Sequence, residues 1–321
     1  MSNVLITGIN GYIGSKIAQT LLGKVGKLIG LDLYFENVIS LVNNANFELI
    51  KADITNKKTL SNEIREADVL IHCAALVHKK STDLSRDNYF QVNYEGTKNV
   101  LNFLDKDRLK QIVFLSTVSV YGDIPKGIIP DENTSTGPED FYGESKLAAE
   151  GEIGEFSEKY HIPYTIFRLV PVYGDFFLLN INKRIYLPGK MAFYKIGNGE
   201  QSLSLVSVNN VAEVVAASIN NPLFFNETFI VKDVEDYSIN RIIATFKDVY
   251  SQGGKPVLRM PVGLLKRVFK LLGLVIPEKG KFYGYQLRKI AEDAVYSGEK
   301  LRATGIQLQW NLENTMSEAA E

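Results

Sequence analysis

Residues 3–7, NVLIT, run without a break into TGINGYIGSKIAQ, which places glycine at positions 8, 11 and 14 between an apolar strand and a helix. A backbone without β-carbons can approach a pyrophosphate closely, and the N–H groups and dipole at the start of the following helix receive its charge. Strand, glycine turn and helix in this order predict a dinucleotide site. The second apolar strand, KLIGLD, ends at Asp32. A carboxylate there can accept hydrogen bonds from both hydroxyls of an adenosine ribose and repels a 2′-phosphate, which favours NAD over NADP. Asp53, closing the third strand in KADIT, is similarly placed for the adenine.

The rest of the first half keeps the same alternation. Apolar strands are expected at 3–7, 27–32, 47–53, 68–75, 111–116 and 164–170, with helical periodicity at 12–23, 86–104 and 143–160. Continuous apolar strands separated by helices imply a parallel sheet covered on both faces. The fold class is therefore α/β, a doubly wound parallel sheet over residues 1–174. Past Gly174 the pattern breaks into shorter mixed elements with turns at LPGK, GNGE, NNP and SQGGKP. A smaller mixed α/β domain is expected over 175–321, with SLSLVSVNNVAEVVAASI, about 203–219, returning to the first domain as strand and helix.

Charge and composition narrow the partners. Thirty-six basic and 37 acidic side chains leave a net charge of -1, so no bulk field favours nucleic acid or an anionic membrane. The single cysteine, Cys73, excludes an internal disulfide and a multi-cysteine zinc site, and His72, His78 and His161 lack ligand spacing, so no metal is expected. MSNVLITG has neither the basic nor the apolar region of a signal peptide, and no apolar run approaches the roughly 20 residues of a membrane span. A cytoplasmic protein acting on a small molecule is the expectation. The strongly apolar segment 262–276, carrying Lys266, Arg267 and Lys270, reads as a helix packed in the second domain rather than a membrane contact.

These stretches, together with HCAA (72–75), VNYEGTKNVL (92–101), STVSVYG (116–122), YGESK (142–146) and RLVPVYG (168–174), resemble in order and spacing the extended short-chain dehydrogenases/reductases, and most closely their nucleotide-sugar epimerase and reductase branch. AALVHKK, residues 74–80, is similar to members from polysaccharide biosynthesis. The resemblance is tight over about the first 175 residues and loose beyond. It implies a Rossmann domain holding NAD through Gly8, Asn10, Gly11, Tyr12, Ile13, Gly14, Asp32, Asp53, Ile54, Ala74, Ala75 and Asn93, with Tyr142 and Lys146 also touching the cofactor. It further implies a homodimer formed through the helices at 86–104 and 143–160.

By the same resemblance Tyr142 is the catalytic acid/base, Lys146 its partner and Thr117 the hydroxyl that shares the substrate oxygen; Ser116 is its neighbour and rival. Tyr142 and Lys146 stand at i and i+4, so one helical face carries both. A phenol acting as base near neutral pH needs its pKa lowered by about 3 units, which Lys146 and a positive nicotinamide could supply. Tyr173 and Arg288 match the substrate side, with Lys183, Arg184 and Arg241 as other candidate cations.

Three residues depart from the family pattern, Asp175 among them at the position of a final proline. Pro171 stands at an asparagine position and Leu203 where an arginine normally grips the substrate diphosphate; a neutral side chain cannot make that bidentate contact. The implied function is an NAD-dependent nucleotide-sugar epimerase acting at C4 of a UDP-hexose. A reductase of a nucleotide-linked 4-keto sugar would use the same residues, and a dinucleotide-binding regulator without catalysis is the reading from another class.

Overall fold

The computed structural model describes residues 1–77, 85–125, 127–174, 179–275 and 292–318. They form two compact units, one of Met1–Leu169, Val208–Val231 and Gly298–Gln307, the other of Val170–Ser207, Lys232–Ser297 and Leu308–Glu321.

The first unit is built from β1 (Val4–Thr7), α1 (Tyr12–Leu21), β2 (Leu28–Asp32), β3 (Phe47–Lys51), β4 (Val69–His72), α2 (Arg86–Tyr89), a π-turn at Phe90–Glu95, α3 (Gly96–Phe103), β5 (Gln111–Thr117), α4 (Phe141–Tyr160), β6 (Tyr164–Leu169), α5 (Val208–Ser218) and β7 (Glu227–Val231). The strands form one seven-stranded parallel sheet in the order β7-β6-β5-β4-β1-β2-β3. The order reverses between β1 and β4. In an open doubly wound sheet the crevice beyond the carboxyl ends of such a pair is where ligands bind. β1 is wholly buried because helices cover both its faces, and α1 supplies Gly14, Ile17, Ala18 and Leu21, one helical stripe, to that cover. A second stripe on α4, including Ala149, Ile153 and Phe156, joins Ile112, Phe114 and Ile166 of the sheet in the core.

The second unit has its own core, formed by Tyr173, Ile181, Tyr186, Phe193, Leu203, Tyr237, Ile242, Phe246 and Met316 among others. Its strands are short pairs: Val172–Tyr173 runs parallel to Val206–Ser207, Ser202–Leu203 antiparallel to Tyr237–Ser238, and Phe193–Ile196 parallel to Val257–Met260. The helix Val262–Val275 leaves Leu264 and Leu271 exposed. No helix among the described residues is long and apolar enough to cross a membrane.

The boundaries differ from those read in the sequence. The first unit stops at Leu169 rather than 174, because Val172 and Tyr173 pair and pack within the second unit. The return does not begin at 203: Leu203 and Leu205 lie in the second core, and only from Val208 does the chain rejoin the first unit, where α5 packs on α1. It stays until Val231 and adds the strand β7, which the sequence reading missed. ETFIV is five residues long and follows a turn, so periodicity had little to act on. A last stretch, 298–307, also belongs to the first unit; Lys300 pairs with Glu227 at 2.7 Å and lies over the Phe229 ring.

Candidate active site

The glycine turn is fixed by lack of space. Gly8 has φ +69°, and a β-carbon on it would lie 2.6 Å from the Ala74 nitrogen, so β1 and the segment after β4 meet backbone to backbone at the switch point. A β-carbon on Gly14 would lie 2.2 Å from the Gly8 carbonyl oxygen. Gly11 is exposed at the N-cap of α1; no side chain caps the helix, and its first turn carries no acid. Such an end offers N–H groups and positive potential to an anion. Asp32 receives backbone N–H bonds from Asn10 at 2.9 Å and Leu33 at 2.7 Å, which hold its carboxylate at the rim of the turn. Asn10 is further tied to Glu36 and Asn37. A cradle without side chains, an open helix end and a fixed carboxylate 22 residues apart in sequence from the turn's Asn10 fit an adenine dinucleotide whose ribose carries a free 2′-hydroxyl.

The neighbouring expected contacts play more structural parts. Asp53 accepts from the N–H and hydroxyl of Thr55. Buried Ile54 packs where Gly96 leaves room, and its carbonyl takes a bond from Asn99. Asn93, in the π-turn, gives its amide to Leu76 and Ser145, bracing the Ala74–Leu76 segment against α4. Tyr12 and Ile13 stand half-buried in the first turn of α1, and Ala75 is half-buried beside Ala74. Behind them lies a chain of hydrogen bonds. The Thr97 hydroxyl donates to the Asn93 carbonyl, so it accepts from His72 Nε2, and His72 Nδ1 accepts from Thr7 at 2.6 Å. Burial pushes the His72 pKa down to about 3, which keeps the ring neutral in this role.

α4 begins at the Asp140 cap, whose carboxylate accepts from the Gly143 N–H at 2.7 Å. Its first turns present Tyr142 and Lys146 to the carboxyl end of β5. There Thr117 ends the strand, accepts from the Ser119 N–H and is hydrogen-bonded to Tyr142. Ser116 points the other way, as strand alternation demands, and donates to Glu150. The structure thus sets Thr117 beside Tyr142, carries Lys146 one turn further along α4, and separates Ser116 from them. Lys146 is buried, its Nζ 3.8 Å from the centre of the Phe114 ring.

The electrostatics differ from the sequence expectation. Burial first, and then the charge of Asp140, push the Tyr142 phenol well above its ordinary range, with the Thr117 bond opposing them. Burial lowers Lys146 to about 7, with Glu150 opposing. The lysine was expected to pull the phenol down; in the protein alone, desolvation favours the neutral form of both groups.

In the second unit Tyr173 is fully buried, and its hydroxyl donates to Asp233 at 2.6 Å, an acceptor shared with Tyr237. Its polar end is committed to that core. Leu203 is 2% exposed in the same core. Arg241 is held by Glu313 and Glu235. Arg184 lines a small cavity with Tyr194 and Gln201, and Lys183 is exposed. Arg288 lies outside the described residues. What sequence reasoning overlooked is the buried ion pair of Glu150 with Arg168, which is joined to Tyr121. The sequence offers only the spacing of Glu150, one turn after Lys146; that this face of the helix is buried is seen in the structure.

Comparison with known proteins bears on this site. The model of the NAD dependent epimerase/dehydratase family matches residues 4–230. The N-acetyl-alpha-D-glucosaminyl-diphospho-ditrans,octacis-undecaprenol 4-epimerase of Escherichia coli O157:H7 is 24% identical over 316 residues, 97% of this chain and 92% of that protein. The UDP-glucose 4-epimerase of Vibrio cholerae is 26% identical over 277 residues, 84% of this chain and 81% of that one. Among solved structures, the UDP-glucuronic acid 4-epimerase of Bacillus cereus in complex with NAD superposes with a TM-score of 0.77 at 20% identity, covering 98% of this chain and 96% of that one.

Proposed function

The chain belongs to the NAD dependent epimerase/dehydratase family, an NAD-dependent enzyme family, and from that premise we propose that it epimerises C4 of a diphosphate-linked hexose, a UDP-hexose first, with Tyr142 as acid/base. The observation that carries this reading is Tyr142 beside Thr117 at the carboxyl end of β5, with Lys146 one turn further along α4 over the Phe114 ring, in the same unit as the glycine cradle.

Bound NAD supplies a hydride acceptor and then a hydride donor at the sugar's C4. The protein's residues manage the proton and the geometry. Tyr142, as phenolate, takes the proton of the 4-hydroxyl while Thr117 holds that oxygen. Lys146 in its charged form favours the phenolate. After the 4-keto sugar has turned over, Tyr142 returns the proton to the same oxygen, now on the opposite face. Neither group is consumed, and the product is an isomer. The residues Gly8, Asn10, Gly11, Tyr12, Ile13, Gly14, Asp32, Asp53, Ile54, Ala74 and Ala75 would line the cofactor, with Asn93 bracing that wall.

A second reading concerns the carrier. Leu203 is buried and neutral where the family arginine would grip a nucleotide diphosphate, and one full-length relative is named for a sugar carried on undecaprenyl diphosphate. A polyprenyl carrier is therefore the alternative to UDP. A one-way reductase needs the same triad run in one direction, and a non-catalytic regulator leaves the triad without a use.

The test is an incubation of purified protein with NAD and UDP-hexoses, UDP-N-acetylhexosamines or their polyprenyl diphosphate counterparts, with products separated by chromatography and nicotinamide absorbance followed. An isomeric sugar without net NADH supports the epimerase. Stoichiometric NADH consumption with a keto sugar would transfer the assignment to a reductase, and untouched substrates would remove the class altogether. Light scattering on the same sample, read against twice the 35.9 kDa chain mass, weighs the proposed homodimer.

Asp32 decides the cofactor in this reading. Asp32→Ala is expected to weaken NADH binding about tenfold or more, since a charged acceptor of two hydroxyls is lost, and to narrow the preference over NADPH. Fluorescence titration with both nucleotides checks this; unchanged affinities for both would remove Asp32 from the site.

A further inference from the structure

Glu150 stands on the buried face of α4 and is 7% exposed. A carboxylate in such a place must be paired. Its Oε1 accepts from Ser116 and from Arg168 Nε at 3.2 Å, and its Oε2 from Arg168 Nη2 at 2.7 Å. Arg168, 8% exposed at the end of β6, turns its remaining nitrogen Nη1 to the Tyr121 hydroxyl at 3.0 Å. Four elements meet at this one pair: β5 through Ser116, the turn after it through Tyr121, β6 through Arg168 and α4 through Glu150.

Each of those residues is the immediate support of one in the proposed triad. Ser116 precedes Thr117 in the chain, Tyr121 closes the 3-10 turn that Thr117 caps, and Glu150 follows Lys146 by four residues on the same helical face. Desolvating two charges offsets most of their attraction, so a buried ion pair is by itself a weak source of stability. The geometry therefore gives the pair a use besides packing.

We propose that Glu150, held by Arg168, is the positioning residue of the active site: it locks the strand end carrying Thr117 to the helix carrying Tyr142 and Lys146, and sets a negative charge one turn behind the lysine. This rests on the catalytic reading of those three residues. The groups facing Lys146 are Glu150 on its own helix, and His72 and Cys73 at the end of β4, with the Phe114 ring from β5. His72 is neutral, and burial pushes the Cys73 thiol up to about 12. The ion-paired carboxylate of Glu150 is thus the counter-charge that opposes the desolvation of Lys146. Without it the lysine sheds its proton at a lower pH and supports the phenolate less.

The experiment compares the full-length protein with its Glu150→Gln and Glu150→Asp variants, each with and without NAD. Lysine labelled with 15N at ζ is titrated by NMR, the Lys146 signal being identified by its loss in Lys146→Met. In Glu150→Gln the Lys146 midpoint is expected to fall by about one pH unit, and kcat at least about tenfold with KM within about threefold. Glu150→Asp keeps the charge but shortens the reach, so it should restore the midpoint while recovering only part of kcat. An unchanged midpoint in Glu150→Gln, or a loss of kcat that only follows the loss of folded protein in thermal unfolding, overturns the proposal. If Glu150→Gln does not fold, the Glu150→Asp variant decides: full kcat with the wild-type midpoint would show that the reach of the side chain positions nothing. The NMR titration needs no substrate, so a protein inactive on every sugar diphosphate would sink the catalytic reading while the midpoint still judges the pair.

Discussion

Tyr142→Phe is expected to lower kcat by about 10²- to 10⁴-fold, equivalent to about 3–5 kcal/mol of transition-state stabilisation, while NADH affinity stays within about threefold of wild type. The substitution removes one oxygen. The ring keeps its place 6.4 Å from the Tyr89 ring, and α4 keeps its Asp140 cap. Thr117 loses the bond to the phenol but still accepts from the Ser119 N–H at 3.2 Å, so the strand end has a partner. What is lost is the group that moves the proton. Chromatographic rates and NADH fluorescence titrations on the two proteins check this, and turnover within tenfold of wild type would assign the acid/base to another residue.

Gly14→Ala should act on the other half of the reaction. Its β-carbon would meet the Gly8 carbonyl oxygen at 2.2 Å and the Ile9 Cα at 2.9 Å, both backbone atoms that cannot rotate away. Gly8 is itself pressed against Ala74 and cannot retreat. The turn and the first turn of α1 must therefore separate. The aligned N–H groups that would receive a pyrophosphate lose their arrangement, and NADH affinity is expected to fall by about 100-fold or more, with overpacking costing about 1–3 kcal/mol of stability. Fluorescence titration reads the first effect and thermal unfolding the second. Wild-type affinity in this variant would mean that the cofactor approaches elsewhere.

The parts of the fold legible in the sequence are those written in local chemistry. Glycine at 8, 11 and 14 declares a backbone constraint by residue identity, and six of the seven strands of the parallel sheet declare themselves as apolar runs. β7 does not, because a five-residue strand at a sheet edge is defined by its partner β6 rather than by its own periodicity. The unit boundaries failed for a related reason: whether Leu203 packs with the first or the second core depends on contacts with Tyr237, far along the chain.

The site divides in the same way. The i, i+4 spacing of Tyr142 and Lys146 is visible in the sequence, whereas the preference for Thr117 over Ser116 came from the family resemblance; strand alternation gives the two side chains different partners. Their electrostatics were not visible. Pairing a phenol with an ammonium suggests a lowered phenol pKa, but burial acts on both groups and dominates each. Glu150 and Arg168 were overlooked because a glutamate in a polar-looking helix reads as solvated until the arginine opposite it is known.

The first unit is interrupted twice in the chain, and this bears on how it is made. β6 is complete at Leu169, but its outer partner comes only with residues 227–231, and the cover of that partner by Lys300 later still. Through the synthesis of the intervening segment β6 is an unpaired sheet edge, the kind of surface that templates association with other chains. The arrival of residues 227–231 closes that edge and completes the sheet that carries the glycine turn.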